Sequence, residues 1–113
     1  MEKKEKKQIE VMLKHILYFI EDPKEQNRVI EILENCESKM GDSRFKNNFD
    51  KIIKKFKNNY FDLIDHLVSD ILSSNIHNEE KKIIYEMLED LKPTIEKGER
   101  TFLEKLRDLF TWS

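Results

Sequence analysis

Glycine and proline are scarce in this sequence, with two of each among 113 residues. Because these residues form most tight turns, their scarcity argues against a β-rich fold with many hairpins and favours long helices. The two glycines, Gly41 and Gly98, stand far apart. The sequence therefore has no glycine-rich loop of the kind that binds phosphate, and its length suits one compact domain.

Cysteine, long apolar runs and net charge are also nearly absent. A lone Cys36 allows no internal disulfide and suits a reducing compartment. The apolar run at 16–20 is far too short for a signal-peptide core or a membrane span. The 21 basic and 23 acidic residues nearly balance, so no global charge draws the chain to nucleic acid or anionic lipid. We therefore expect a cytoplasmic protein.

Apolar residues recur at helical spacing in the first third of the chain. Residues 4–20 predict a first helix, which ends at the Asp22-Pro23 pair. Asp22 predicts the N-cap of a second helix that begins at Pro23, and Glu25 has the position from which a side chain reaches back to the cap. The short connection predicts that the two helices are antiparallel neighbours.

The middle and last thirds contain the next helices. Asp42 or Ser43 caps a segment over 44–74 whose apolar period never resets, which predicts one helix of roughly 30 residues. A turn at 57–59 that separates two shorter helices is the alternative. Asn78 predicts the cap of a helix that Pro93 ends or kinks. After Gly98, apolar residues from Phe102 to Phe110 predict a short amphipathic helix.

The segments together predict an all-α fold over residues 1–113. We expect a single domain, an antiparallel four-helix bundle with an additional short C-terminal helix, in which residues 99–113 form a semi-independent segment. The predicted core lies where the helical faces converge and contains Leu13, Ile16, Leu33, Phe49, Ile53, Phe56, Ile64, Leu67, Ile84 and Leu88.

Catalytic chemistry has little support in the sequence. Cys36 lies on an apolar helical face, where a small core residue is expected more often than a nucleophile. Asp62, His66 and Asp70 follow each other at four-residue spacing, an O-N-O set that can hold a divalent metal on one side of a helix. A solvated helix face explains that pattern more simply. We expect no enzyme activity, no cofactor and no metal.

Charge is unevenly distributed along the chain. The stretch 44–57 has one acid, Asp50, whereas 79–96 contains six acids and three lysines. A basic stretch with interleaved aromatic residues can bind nucleic acid. These aromatics, however, lie at the helical spacing of the apolar core face. The lysines then form a solvent-exposed face that complements the acidic segment. The candidate basic face contains Lys46, Lys51, Lys54, Lys55 and Lys57.

The C-terminal segment is the best candidate for partner binding. Its apolar stripe has the size of an amphipathic helix that docks in a groove, and its tryptophan suits an interface anchor. A fifth helix packed permanently on the bundle is the alternative. The candidate residues are Arg100, Phe102, Leu106, Arg107, Phe110 and Trp112.

The stretch KQIEVMLKHILYFIEDPKEQNRVIEILENCESKM at 7–40 resembles the first two helices of the immunity proteins against class IIa (pediocin-like) bacteriocins. The points of likeness are KQI at 7–9, DPK at 22–24 and VIEIL at 29–33. LIDHLVSDILSSNIHNEEKKIIYEMLEDL at 63–91 is similar to the third helix, polar turn and fourth helix of the family. The basic stretch 44–57 and the tail after Pro93 depart from the family pattern.

The resemblance implies a small cytosolic four-helix bundle that acts without catalysis. Such a protein works at the inner face of the membrane, where it blocks the receptor permease to which a pore-forming peptide has bound. The C-terminal half of the family recognises that complex, which here corresponds to the fourth helix and the tail. The alternative is a phage- or plasmid-encoded helical interaction protein that binds nucleic acid or a nucleoprotein through the basic face.

Overall fold

The fold is all-helical in a computed structural model that describes residues 2–111, apart from the side chains at 18, 19, 110 and 111. The helices in chain order are α1 (Lys3–Phe19), α2 (Pro23–Lys39), α3 (Arg44–Phe56), α4 (Tyr60–Ser73) and α5 (Asn78–Thr111). Residues 2–111 contain no strand. The predicted all-α class is therefore confirmed.

Helix α2 begins where the sequence predicts. Asp22 has an extended backbone, and its Oδ1 accepts a hydrogen bond from the N–H of Lys24 at 3.0 Å. This bond satisfies one of the amide groups that have no partner at a helix start. The carboxylate of Glu25 is directed toward α5, where it accepts a hydrogen bond from Thr94 Oγ1 at 3.4 Å and lies 3.8 Å from Lys97 Nζ.

The prediction of one helix over 44–74 is wrong, and the alternative with a turn at 57–59 is correct. Asn59 caps α4: its Oδ1 accepts from the N–H of Asp62 at 3.2 Å, and its Nδ2 donates to the Asp62 carboxylate at 2.9 Å. An asparagine side chain competes in this way with helical backbone bonds. The three-residue turn is close to one helical turn in length, which keeps the apolar period in phase across the break.

The prediction of a separate C-terminal helix after Pro93 and Gly98 is also wrong. Helix α5 runs for 34 residues with Pro93 inside it. An interior proline costs about 3 kcal/mol through a lost hydrogen bond and a clash. Pro93 itself is exposed, whereas Leu91, Thr94 and Ile95 around it are buried. Burial on both sides of the proline offsets its cost and keeps the helix continuous.

Helix α5 is the element on which the first two helices pack. α1 packs against α4 and α5, α2 packs against α5 and α3, and α3 packs against α4. Although the connection 20–22 is short, α1 and α2 make their main contacts with these other helices, so the prediction that they are direct neighbours is wrong, while their antiparallel directions are as predicted. The break at 57–59 adds one reversal of the chain, and α5 consequently returns beside both α1 and α2.

The directions of the helices follow from their contacts. Near its start, α1 places Glu5 2.7 Å from Lys81 Nζ, and near its end His15 lies against Gly98, so α1 and α5 are parallel. The start of α2 meets Thr94, and Ser43 just after α2 donates a hydrogen bond to Glu80 at 2.6 Å. Helix α2 is therefore antiparallel to α5.

One continuous core fills the space between the helices. All of the predicted core residues are buried except Phe56, which is half-buried. The ring of Phe56 stacks on His66 of α4, with centroids 4.1 Å apart and planes 8° from parallel. Phe56 thus packs at the edge of the core beside the turn between α3 and α4. The prediction that it lies within the core is wrong.

Candidate functional site

Helix α5 extends past the helix that lies beside it. Its 34 residues span about 51 Å, whereas the 17 residues of α1 span about 26 Å. α1 lies beside α5 from Lys81 to at least Gly98 and ends at Phe19, four residues after the His15 that meets Gly98, so the last part of α5 continues beyond the end of α1. We call residues 99–111 the α5 tail and residues 78–98 the α5 body.

The apolar stripe of α5 continues into the tail, where its side chains are less buried than in the body. Leu88, Ile95 and Leu109 are separated by multiples of seven residues, and with a drift of about 20° per heptad they stay within one broad apolar stripe of the helix. Leu88 is 7% exposed and Ile95 is 9% exposed, whereas Leu109 is 74% exposed. The apolar stripe is therefore buried in the body, half-buried at Phe102 and Leu106, and open at Leu109.

The tail residues predicted for partner binding have different environments. Phe102 and Leu106 are half-buried, and Arg100 and Arg107 are exposed. Trp112 and the side chain of Phe110 lie outside the part of the chain that the structure describes. Two exposed apolar residues of the tail were not among the predicted partner-binding residues. They are Leu103, which is 57% exposed, and Leu109. Their helical spacing was visible in the sequence, but the point at which the bundle ends was not.

An ion pair joins the tail to the rest of the molecule. Lys105 Nζ lies 3.6 Å from a carboxylate oxygen of Glu21, which belongs to the connection between α1 and α2. The two side chains are 55% and 86% exposed. An exposed pair of this kind contributes about 0–1 kcal/mol. The ion pair therefore adds little to the attachment of the tail.

Gly98 marks the end of the α5 body and allows α1 to approach closely. A Cβ atom at this position would lie 2.5 Å from the carbonyl oxygen of His15 and 3.1 Å from its carbonyl carbon. Both atoms belong to the backbone, so they cannot move aside as a side chain does. Gly98 is thus a point of close backbone contact between α1 and α5, and the tail begins directly after it.

The candidate basic face is partly neutralised by nearby acids. Lys54 pairs with Asp50 at 3.0 Å within α3. Lys57 lies 3.0 Å from Glu34, and Lys46 lies 3.9 Å from Glu37. The acids that complement this face therefore include residues of α2, whereas the sequence suggested the acidic segment 79–96.

The other two lysines of the basic face are exposed. Lys55 Nζ lies 5.3 Å from the ring centre of Phe56, and Lys51 is the remaining member. Since three of the five lysines face carboxylates, fewer ammonium groups are free to release counterions from a nucleic acid.

The residues at metal-ligand spacing have other contacts. The Asp62 carboxylate accepts from Asn59, His66 stacks on Phe56, and Asp70 Oδ1 accepts from Ser74 Oγ at 3.1 Å. Within residues 2–111, no group of three or more histidine, cysteine or acidic side chains comes together as a metal site. The structure therefore does not assemble Asp62, His66 and Asp70 into a shared site.

Asp70 lies in the wall of a cleft between the start of α3 and the end of α4. The cleft has a volume of about 450 Å³, and Arg44 and His77 also line it. Asp70 Oδ2 is buried and has no hydrogen-bond partner among the described residues. Burial raises the pKa of this carboxyl above its usual range. The cleft is polar and open, and none of the sequence candidates for partner binding lies in it.

Cys36 has the properties of a core residue. It is buried on α2, and burial raises the pKa of its thiol to about 12. A thiol with so high a pKa is almost entirely protonated at neutral pH, and the protonated form is a poor nucleophile. This supports the sequence interpretation of Cys36 as a packing residue.

Among the helices of residues 2–111, none combines the length and apolar character that crossing a membrane requires. Comparison of the chain with models of protein families, with curated proteins and with solved structures gave no match in any of the three.

Proposed function

We propose that this chain is a cytosolic immunity protein that protects a producer cell from a pore-forming class IIa bacteriocin. It acts by binding the complex of the peptide with its receptor permease, without catalysis. The exposed stripe of the α5 tail carries this proposal, because a continuous helix offers Leu103 and Leu109 to a partner beyond the end of its own bundle.

The two segments that resemble the family support the proposal by their positions. The first, at 7–40, covers most of α1 and all of α2, and the second, at 63–91, covers most of α4, the connection and the first part of α5. In the second segment α4 ends at Ser73 and α5 begins at Asn78, which is the order of helix, turn and helix that the resemblance implies.

The antiparallel four-helix bundle remains part of the proposal, with α3 and α4 together in the place of the third helix. The parallel course of α1 and α5 departs from that arrangement. The proposal therefore depends on the tail surface and on the resembling segments more than on the detailed topology.

The chemistry of the tail suits a protein partner. Large apolar side chains contribute most of the energy at interfaces, and flanking charges set orientation. Arg100 and Arg107 are exposed beside the stripe. An amphipathic helix of this kind packs its apolar face into a groove, with anchors at spacings of three and four residues.

A protection assay tests the proposed function. The chain is expressed in cells that are sensitive to class IIa bacteriocins, and growth is measured against a panel of these peptides. We expect the chain to raise the inhibitory concentration of its cognate peptide, and the permease to co-purify with the chain only when the peptide is present. No protection at a verified intracellular level, together with steeply salt-dependent binding of DNA or RNA, would overturn the proposal in favour of nucleic-acid binding.

A further inference from the structure

Four lysines of α1 surround an exposed leucine of α4. Lys3, Lys4, Lys6 and Lys7 line a shallow depression of about 490 Å³ whose other lining residue is Leu72. Leu72 is 37% exposed. We call these four residues the α1 lysine cluster. The cluster and the leucine are far apart in the sequence, and the packing of α1 on α4 brings them together.

Lys6 fixes this arrangement. Its Nζ donates to the carbonyl oxygen of Ser74 at 2.7 Å and to that of Leu72 at 3.3 Å. The last carbonyl groups of a helix have no helical partner, and a cation there interacts favourably with the helix dipole. Lys6 therefore ties the start of α1 to the end of α4 and leaves its neighbours around Leu72.

Glu5 and Glu10, two acids of α1 near the cluster, are paired with lysines, of which only Lys7 belongs to the cluster. Glu5 lies 2.7 Å from Lys81 Nζ and accepts a hydrogen bond from Tyr85 at 2.7 Å. Glu10 lies between Lys7, at 3.0 Å, and Lys14, at 3.1 Å. Residues 2–10 contain four lysines and three acids, and Glu5 is paired with Lys81 outside this stretch, so positive charge is in excess around Leu72.

Exposed apolar side chains accompany the charge. Leu72 lies among the lysines, and Val11, one turn after Lys7, is 45% exposed. Alternating ammonium groups and aliphatic side chains match the boundary of an anionic bilayer, where phosphates and acyl chains meet. A single-stranded nucleic acid would instead need aromatic platforms for its bases, and the cluster contains none.

We propose that the α1 lysine cluster, together with Leu72, is a contact site for an anionic phospholipid surface. This inference deepens the proposed function, since it rests on an action at the inner face of a membrane and names the surface that meets the lipid. Lys6 positions the site, Lys3, Lys4 and Lys7 attract the headgroups, and Leu72 contacts the acyl boundary.

Vesicle binding tests the site without any bacteriocin. The full chain is mixed with vesicles of phosphatidylcholine alone or with phosphatidylglycerol, at low and high salt, and the bound fraction is measured by sedimentation. We expect binding only to the anionic vesicles, weakened by salt. The variant K3Q/K4Q/K7Q should bind roughly 100-fold more weakly, about fivefold for each lysine.

A matched control removes the same charge elsewhere. The variant K51Q/K54Q/K55Q changes three lysines of α3 and should lower binding by less than about fivefold. L72S should weaken binding of the otherwise intact cluster by a few-fold. Melting curves of all variants verify that they are folded, and K3Q/K4Q replaces the triple variant if loss of the Lys7–Glu10 pair disturbs α1.

Equal losses in the two triple variants, or no binding of the wild type to anionic vesicles, would overturn the inference. Tighter binding of the cluster to RNA or DNA than to the vesicles would overturn it as well. The two proposals fail separately: protection without vesicle binding removes the lipid site alone, whereas vesicle binding without protection removes the immunity function alone.

Discussion

The body and the tail of helix α5 have the same apolar repeat and opposite surroundings. In the body, Leu88 and Ile95 are enclosed by the helices around them, whereas in the tail the equivalent Leu109 is open to solvent. The two regions meet at Gly98, where the backbone of α1 lies close to α5. One helix therefore supplies both the centre of the core and an uncovered apolar surface.

This difference separates stability from recognition within a single element. Buried leucines contribute through lost contact with water and through packing, so the body should determine the free energy of unfolding. An exposed leucine contributes little to folding and gains its full value only when a partner covers it. The predictions below test this separation, beginning with the largest expected effect.

Truncating a leucine should be costly in the body and harmless in the tail. L88A should lower the free energy of unfolding by about 3 kcal/mol through a cavity in the core. L109A, with the same substitution at an equivalent helical position, should change it by less than about 0.5 kcal/mol. Urea unfolding followed by circular dichroism measures both. Similar losses in the two variants would mean that the tail is part of the core.

An alanine at the junction should destabilise the fold. Glycine to alanine in an exposed helix stabilises by about 0.5–1 kcal/mol, but the Cβ of G98A would meet the His15 backbone at 2.5 Å. We expect a loss of about 2 kcal/mol from overpacking, measured by the same unfolding experiment. The control E99A, one residue into the tail, should be nearly neutral. A gain in stability for G98A would show that α1 and α5 are not closely packed there.

Two adjacent residues in the connection between α1 and α2 serve different regions. Asp22 caps α2, whereas Glu21 contacts the tail. D22A should cost about 1 kcal/mol because the cap of α2 is lost, while D22N retains a good cap and should remain close to the wild type. Its neighbour Glu21 meets Lys105 of the tail, and E21A should change stability by only a few tenths of a kcal/mol. A larger loss for E21A than for D22A in thermal melts would give the tail a structural role.

Acid should weaken the contact between α1 and the α5 body. Hydrogen bonds from Lys81 and Tyr85 hold the pKa of Glu5 below its usual 4.5. A lowered pKa in the folded state adds stability above pH 4.5 that is lost as pH falls through the lowered value.

The variant E5Q tests this pH dependence. It should be less stable than the wild type at pH 7, and the difference should shrink at an acidic pH well below the usual pKa of 4.5. Unfolding at the two pH values measures the effect, and E104Q in the tail serves as control. A difference that persists at low pH would assign the effect to packing of Glu5 rather than to its charge.

Local signals predicted the starts of helices better than their ends. The Asp22 cap and the Ser43 cap were predictable because capping depends on residues within one helical turn. The sequence was compatible both with a break at Asn59 and with one long helix, because a three-residue turn preserves the apolar period. The continuity of α5 through Pro93 was not predictable, since it depends on burial by α1 and α2.

The candidate surfaces depend on contacts that no local pattern contains. The tail stripe was visible as helical spacing, but its exposure depends on where α1 ends relative to α5. The neutralisation of Lys57 required the position of Glu34 on another helix. Leu72 among the α1 lysines likewise required the packing of α1 on α4.

The most direct test of the central claim combines recognition with stability in one variant. L103S/L109S removes the exposed apolar stripe of the tail while the body remains unchanged. The account predicts a melting temperature within a few degrees of the wild type and loss of protection against the cognate bacteriocin, at equal intracellular levels of the two proteins. Full protection by this folded variant would contradict the claim that the α5 tail is the recognition surface.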